Sequence, residues 1–158
     1  MRARPVAFVI TRDLEVRPVG AEEREAWEPL WRGYLAFYEA LLPEDVFAAT
    51  WKRLQDPAEP MFALGAYRDG ILIGIAHYLF HRSCWSIGDN CYLQDLFVAP
   101  AARGSGAGRA LIEACERTAR AAGAARLYWM TQEGNATARA LYDRVAQRSG
   151  FIEYDRRF

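Results

Sequence analysis

The sequence predicts a mixed α/β domain built around one sheet. Three observations lead to this fold class: an Asp-Gly turn between two apolar stretches, a glycine-rich loop directly before a helical pattern, and alternating strand-like and helix-like stretches in the C-terminal half. Apolar residues make up 52% of the 158 residues and charged residues 25%, a globular balance. We therefore assign residues 1–158 to a single domain.

The N-terminal half begins with a strand and continues as helices. Residues 13–19, "DLEVRPV", predict a short strand, and residues 21–57 predict two or three helices broken by Gly33 and Pro43. Apolar residues recur there at three- and four-residue intervals, as on one face of a helix: Trp27, Leu30, Trp31, Tyr34, Leu35 and Tyr38.

The middle of the chain predicts strands. Residues 61–81 contain two apolar stretches around Arg68-Asp69-Gly70, and Asp-Gly is a strong signal for a hairpin turn. Residues 90–100, "NCYLQDLFVAP", predict a further strand that ends at Pro100.

The C-terminal half alternates helices and strands. A helix is predicted from Ala107 to a stop at Gly123, followed by a strand over residues 125–131. Asn135 can cap a second helix over residues 136–149, which stops at Gly150. Residues 151–158, "FIEYDRRF", predict a last strand.

Charge and cysteine content exclude several classes of function. Twenty basic residues offset twenty acidic ones, so no overall field favours nucleic acid or an anionic membrane. Three scattered cysteines without a Cys-x-x-Cys spacing indicate reduced thiols in the cytoplasm and argue against a disulfide framework or a metal site. The apolar run in the first twelve residues is too short for a signal peptide or a membrane span.

The loop "RGSGAGR", residues 103–109, carries the most specific signal. An isolated glycine cluster is equally compatible with a flexible surface turn, but this one follows a strand and opens a helix. Its spacing is neither the dinucleotide fingerprint nor a P-loop. Glycines let backbone N–H groups converge, the helix dipole adds positive potential, and Arg103 and Arg109 supply charge. The combination suits a pyrophosphate.

These residues resemble the cofactor signature of the GNAT superfamily of N-acetyltransferases, Arg/Gln-x-x-Gly-x-Gly/Ala, at Arg103, Gly106 and Gly108. The resemblance to small polyamine acetyltransferases and yeast-type histone acetyltransferase-like members extends from Val16 to Phe151 in order and spacing. It implies a twisted, mostly antiparallel sheet whose central strands splay apart, flanked by helices.

The resemblance implies acetyl-CoA as the cofactor, and no metal is needed. The backbone of the strand before the loop would pair with the pantetheine arm, and the loop amides would hold the pyrophosphate. Asn135 matches a family asparagine near the pantetheine, although helix capping alone would also explain it. The expected cofactor-binding residues are Leu96, Phe97, Val98, Arg103, Gly104, Ser105, Gly106, Ala107, Gly108, Arg109, Asn135, Ala138 and Tyr142.

Amine acetylation needs two proton transfers, because a protonated amine cannot attack and the departing thiolate benefits from an acid. Tyr142 stands where the family has its general-acid tyrosine, with core packing as the alternative. Polyamine acetyltransferases have Tyr-Leu-Glu-Asp where this chain has Tyr-Leu-Gln94-Asp95, and an amide cannot accept a proton. Deprotonation then needs a water relay, another carboxylate or bulk buffer. Glu39 and Glu133 are the candidate residues, with His81 third.

Other residues are expected to bind the acceptor. Tyr38 and Glu39 are similar to the Tyr-Glu pair by which polyamine enzymes hold a cationic substrate. The expected acceptor-binding residues are Tyr38, Glu39, His81, Gln94 and Asp95. His77 and His81 share a strand face, where a polar cleft lining and an ordinary surface are equally compatible with the spacing.

We expect an N-acetyltransferase that acts by direct transfer to a small amine, a polyamine or a lysine side chain. The alternative is an acetyl-CoA-binding module of the same fold with little or no turnover, which Gln94 favours. The terminal stretch "FIEYDRRF" has the edge character that invites a homodimer.

Overall fold

A computed structural model describes residues 9–11 and 13–158 and shows one six-stranded sheet with helices on both faces. The N-terminal apolar run, which is too short for a signal peptide, lies largely outside the described residues. The strands are β1 Val9–Thr11, β2 Leu14–Pro18, β3 Met61–Arg68, β4 Ile71–His81, β5 Asn90–Val98 and β6 Arg126–Tyr128. The helices are α1 Arg24–Phe37, α2 Glu44–Gln55, α3 Ala107–Ala121 and α4 Ala136–Val145.

The sheet follows the chain order, β1 to β6, and is mostly antiparallel. Every neighbouring pair of strands runs antiparallel except β5 and β6, which are parallel. A parallel pair needs a crossover connection, and α3 supplies it. The predicted mixed α/β fold with a largely antiparallel sheet is confirmed.

Each face of the sheet has its own core. One core lies between the sheet and α3, with side chains of α4 packed at its border, and contains Leu64, Tyr78, Leu93, Leu111 and Cys115. The other lies between the sheet and the α1–α2 pair and contains Trp27, Trp31, Phe47, Ala63 and Ile75. Because β3 and β4 are covered on both faces, their central residues are continuously buried rather than alternating.

The predicted hairpin is confirmed, and its turn depends on backbone conformation. Asp69 and Gly70 have φ angles of 50° and 76° between β3 and β4. Two successive residues with positive φ are what a type I′ hairpin turn requires, and Asp-Gly is a preferred pair for it.

The predicted break at Gly33 is wrong, because α1 continues through it to Phe37. A Cβ atom at position 33 would lie 2.8 Å from the Phe97 ring, so the glycine allows α1 to approach β5 closely. The predicted helix start after Pro43 is confirmed at Glu44.

The predicted last strand is also wrong. Residues 151–158 have no regular secondary structure and are exposed, and α4 ends at Val145 rather than near Gly150. Within the described chain, these residues pair with no strand of the sheet. Among the described residues, no helix has the length and apolar character needed to cross a membrane.

Candidate active site

The site begins where β5 and β6 separate. β5 pairs with β4 along its length, but it pairs with β6 only at Asn90–Tyr92. In the described chain, no strand pairs with the β6-facing edge of β5 from Leu93 to Val98, where the Gln94 and Val98 carbonyls accept from the side chains of Tyr34 and Arg103. An extended ligand can add to this edge as a strand does. Leu96 and Val98 pack on the α3 side and Phe97 on the α1 side, so the main chain is the part of this segment that a ligand can reach.

The glycine loop follows directly and opens α3. Gly104 and Gly106 have φ angles of 77° and 85°, and Gly106 is the N-cap residue of the helix. A Cβ atom at either position would meet nothing within 4 Å, so the requirement for glycine comes from the backbone conformation and leaves the surface above it open. Bare backbone in this conformation lets a ligand approach the loop closely.

The N-terminal turn of α3 has main-chain donors to offer. Within the described chain, the N–H groups of Gly106, Gly108 and Arg109 have no hydrogen-bond acceptor, whereas that of Ala107 bonds Ser105 Oγ at 3.4 Å. Free donors at the positive end of a 15-residue helix form an anion site. The loop can therefore hold a phosphate group through its backbone.

The two arginines of the loop differ in their partners. Arg103 is exposed and lies over the Phe97 ring, with its Cζ 5.8 Å from the ring centroid. Arg109 is paired with Glu113, one turn along α3, at 2.8 Å. Arg103 is thus the more available cation for an anionic ligand.

A bulge interrupts β5 at Gln94. His77 of β4 pairs with Asp95, but the next residue, Tyr78, pairs with Leu93, so Gln94 is an extra residue. Before the bulge, the odd-numbered residues Cys91 and Leu93 pack on the α3 side of the sheet. After it, the even-numbered residues Leu96 and Val98 pack on that side. The shift turns Asp95 toward α1.

Three tyrosines meet at the separation of β5 and β6. A narrow cleft of about 10 Å³, here called the tyrosine cleft, is lined by Tyr34, Tyr38, Leu93, Gln94, Leu96, Trp129, Met130 and Tyr142. Tyr34 and Tyr38, one turn apart on α1, have ring centroids 5.0 Å apart. The structure thus brings together four of the sequence-predicted site residues: Tyr38, Gln94, Leu96 and Tyr142. A larger cavity of about 230 Å³ lies between α3, β6 and the end of α4, and no sequence-predicted site residue lines it.

Tyr142 reaches the tyrosine cleft from α4. Its ring packs edge-on against Trp129, with centroids 5.4 Å apart. Burial raises the pKa of Tyr142 to about 12, and the nearby Tyr38 adds to this effect. Its hydroxyl makes no hydrogen bond to any described residue, so it is a protonated donor available to a ligand.

A chain of hydrogen bonds lies buried behind the tyrosine cleft. The indole N–H of Trp27 donates to His77 Nε2 at 2.7 Å, and His77 Nδ1 lies 2.8 Å from Asp95 Oδ2. His77 and Asp95 are 4% and 8% exposed. Neither alternative for His77 is correct, because its side chain is in the core under α1 rather than in a cleft lining or at the surface.

The remaining predicted residues lie outside the tyrosine cleft. Glu39 is exposed after the end of α1, with a φ of 53°. Glu133 is exposed and lies 3.8 Å from Arg148. His81 bonds the Tyr128 hydroxyl at 2.9 Å, on β4 beside the paired part of β5 and β6.

Asn135 caps α4, as predicted. Its side-chain oxygen accepts from the Ala138 N–H at 3.4 Å, and its Nδ2 donates to Thr131 at 3.2 Å. Asn135 and Ala138 are both half-buried at the start of this helix.

Sequence reasoning missed Tyr34, Trp129 and Met130 as residues of the tyrosine cleft. Tyr34 lies one helical turn before Tyr38, so the pair of hydroxyl-bearing rings on one helix face was a usable signal. Trp129 and Met130 lie in an apolar stretch with no distinguishing signal. Only the separation of β6 from β5 exposes them.

Comparison with known proteins identifies relatives of this chain. A family model described as Acetyltransferase (GNAT) family matches residues 24–146. A D-amino-acid N-acetyltransferase of Saccharomyces cerevisiae is 34% identical over 143 residues, covering 89% of this chain and 89% of the yeast protein.

Solved structures share the fold. A ribosomal-protein-alanine N-acetyltransferase from Brucella melitensis superposes with a TM-score of 0.75 at 23% identity, covering 92% of this chain and 99% of that chain. The aminoglycoside acetyltransferase AAC(6')-Iy, bound to a bisubstrate analogue of CoA and acetylneamine, has a TM-score of 0.79 at 19% identity, covering 92% and 98% of the two chains.

Proposed function

This chain belongs to the acetyltransferase (GNAT) family and is an acetyl-CoA-dependent N-acetyltransferase, and we propose that it transfers the acetyl group directly to a primary amine. The acceptor is a small amine, a polyamine or a lysine side chain, and Tyr142 is the general acid. The observation that carries the proposal is the position of Tyr142 at the tyrosine cleft, beside the free edge of β5.

The chain offers acetyl-CoA a place along β5 and α3. The edge of β5 at Leu96–Val98 suits the amide groups of the pantetheine arm, and the free N–H groups of Gly106, Gly108 and Arg109 suit its pyrophosphate. Arg103 adds a cation, and Asn135 and Ala138 lie at the start of α4. When bound, acetyl-CoA supplies an activated thioester, and the protein positions it.

Tyr142 holds the proton that the leaving sulfur needs. Since its pKa is raised to about 12, the phenol stays protonated throughout the neutral range. A phenol that weak donates to sulfur only if it regains a proton in the same event, and the attacking amine carries protons that must be lost. Tyr142 therefore serves best when the acceptor amine lies in the same cleft.

The tyrosine cleft suits a cationic acceptor. Tyr34, Tyr38 and Trp129 present aromatic rings at one opening, and an ammonium group is attracted to such faces. The yeast relative is named for D-amino acids and the solved relative binds an acetylneamine analogue, so both act on amines. For this chain, Tyr38, Glu39, His81, Gln94 and Asp95 stay our proposed acceptor-binding residues.

Position 94 carries no group that can accept the proton of the amine. Gln94 lines the tyrosine cleft and can orient a water, but its amide takes no proton. Glu39 and Glu133 are exposed outside the cleft, and each would need a water relay to reach it. The glutamine at position 94 also supports the second candidate function, an acetyl-CoA-binding module with little turnover.

An acetyl-transfer screen separates the two candidates. Free thiol release from acetyl-CoA is followed with polyamines, D-amino acids, aminoglycosides and a histone-tail peptide. If the protein is an enzyme, one of the amines should cause thiol release, and the amount of acetylated amine should equal the amount of free thiol. Binding of acetyl-CoA with no product from any amine supports the binding module.

We also propose a cytoplasmic homodimer. Cys84, Cys91 and Cys115 are all unpaired thiols, which suits a reducing compartment. The terminal segment, residues 147–158, exposes Phe151, Ile152, Tyr154 and Phe158, and clustered exposed apolar side chains are typical of an interface. A second copy is the occupant we assign to this segment, because both apolar and charged side chains line the 230 Å³ cavity beside β6, as the terminal segment itself carries both. The lining includes Ile112, Leu127, Trp129, Val145, Glu116, Arg120 and Arg126.

A further inference from the structure

The protonation state of His77 follows from its two partners. An indole N–H can only donate, so His77 Nε2 accepts from Trp27 and carries no proton. The proton of the neutral ring is then on Nδ1, which donates it to Asp95. His77 Nε2 cannot take a proton without losing the Trp27 bond, so the ring presents one fixed donor to Asp95.

Tyr34 lies between the tyrosine cleft and the segment of β5 that carries Asp95. Asp95 does not line the cleft, whereas Tyr34 does, and its hydroxyl reaches the Gln94 carbonyl oxygen at 3.5 Å. Burial raises the pKa of Tyr34, and the neighbouring Asp95 carboxylate raises it further. The hydroxyl therefore stays protonated, and it can pass a proton on only by receiving another.

We propose that Asp95 is the final acceptor of the proton lost by the amine, reached through the hydroxyl of Tyr34, with His77 and Trp27 as positioning residues. This inference rests on the proposed amine acetylation. An N–H bond of the ammonium breaks as its proton joins Tyr34 Oη, and the former Tyr34 proton moves to an Asp95 carboxylate oxygen. The products are a neutral amine, a neutral tyrosine and a carboxylic acid.

The surroundings of Asp95 favour this role. The groups that face it are His77 from β4, Tyr34 from α1 and Tyr92 from β5 itself. Within the described chain, no lysine or arginine forms an ion pair with Asp95. Asp95 is therefore a buried carboxylate next to Gln94 that no lysine or arginine of the described chain neutralises. It supplies the carboxylate that position 94 lacks.

The first test follows kcat/KM against pH for thiol release with the best amine of the screen. Wild-type activity should change little between pH 6.5 and 9. Asp95→Asn and Tyr34→Phe should each lose roughly 10²-fold at pH 7, and the loss should shrink as pH approaches the amine pKa of about 10.4, where the free amine needs no acceptor. A loss that is equal at every pH overturns the relay and leaves these residues as cleft packing.

Two neighbouring tryptophans give a matched pair for the positioning role. Trp31 stacks on Trp27 with centroids 5.2 Å apart, and its buried indole N–H has no hydrogen-bond partner among the described residues. Trp27→Phe and Trp31→Phe remove the same atoms from one core, but only the first frees His77 Nε2. In Trp27→Phe, His77 can gain a proton and become an imidazolium that weakens Asp95 as an acceptor.

Trp27→Phe should therefore lose activity as pH falls through the range in which imidazoles titrate, roughly pH 8 to 5, whereas Trp31→Phe should keep the wild-type profile. Nitrogen-15 spectra of the histidine ring provide a readout that needs no substrate: His77 should titrate in Trp27→Phe and hold one tautomer in Trp31→Phe. Identical behaviour of the two variants overturns the positioning role. A wild-type protein that acetylates no amine overturns the proposed function and the relay together.

Discussion

Tyr142 is a half-buried phenol whose hydroxyl has no hydrogen-bond partner in the described chain. Tyr142→Phe keeps the ring and its contact with Trp129 while it removes the donor. We expect kcat to fall by roughly 10²-fold with little change in the affinity for CoA. The measurement is steady-state thiol release beside a CoA titration by calorimetry.

The raised pKa of Tyr142 also predicts how wild-type kcat depends on pH. A donor with a pKa of about 12 is fully protonated at every pH below about 11, so wild-type kcat should show no alkaline loss up to pH 10. A turnover unchanged by Tyr142→Phe would leave this tyrosine as core packing only.

Gln94 and Asp95 are adjacent residues with different access to the cleft. Gln94→Glu places a carboxylate in the tyrosine cleft itself, one residue before the buried Asp95. At pH 7, we expect the double variant Gln94→Glu/Asp95→Asn to have a kcat/KM at least tenfold higher than that of Asp95→Asn alone, because Gln94→Glu restores a group that can take the proton. Gln94→Glu in the wild-type background is the control and should change activity much less. No recovery in the double variant would mean that the loss in Asp95→Asn is structural.

At the scale of elements, the glycine loop can be tested with a strain-matched control. Gly106 and Gly123 have φ angles of 85° and 72°, open space around the missing Cβ, and positions before and after the same helix. Valine at either position costs about 1–2 kcal/mol of backbone strain. Only Gly106→Val should also abolish the rise in Tm on addition of CoA, because only position 106 lies at the proposed phosphate site.

The measurement is thermal unfolding with and without CoA for both variants. A normal Tm rise in Gly106→Val would contradict the assignment of the loop to the pyrophosphate, and loss of the rise in both variants would indicate general destabilisation instead.

At the scale of the whole molecule, the terminal segment 147–158 determines our prediction of assembly. Its exposed Phe151, Ile152, Tyr154 and Phe158 should be covered by a second copy. Light scattering should give twice the chain mass of 17.9 kDa at micromolar concentration. Replacing Phe151 and Tyr154 by serine should return the monomer with its Tm rise on CoA intact. A wild-type monomer at that concentration would refute the dimer.

Local sequence patterns determine the turns, the glycine loop and the helices of this protein. Asp69-Gly70 predicts a hairpin turn, because few other residue pairs accept two positive φ angles. The glycines before α3 predict a loop for the same reason. Three- and four-residue spacing located the helices, since a helix that covers a sheet must bury one face. The family resemblance rested on these same local signals, and it led to Tyr142 and Gln94 in the cleft.

Tertiary packing decided what local patterns could not. Gly33 reads as a helix break in the sequence, but Phe97 lies against it across the α1–β5 contact. The stretch of residues 151–158 is predicted as a strand from the sequence, but a strand needs a partner, and in the described chain no strand pairs with it. The bulge at Gln94 depends on the register between β4 and β5, and it alone turns Asp95 toward His77 and Tyr34. A contact between residues far apart in sequence produces no pattern in the local sequence around either residue. For that reason, only the folded structure reveals that Trp27, His77 and Asp95 form one hydrogen-bonded chain.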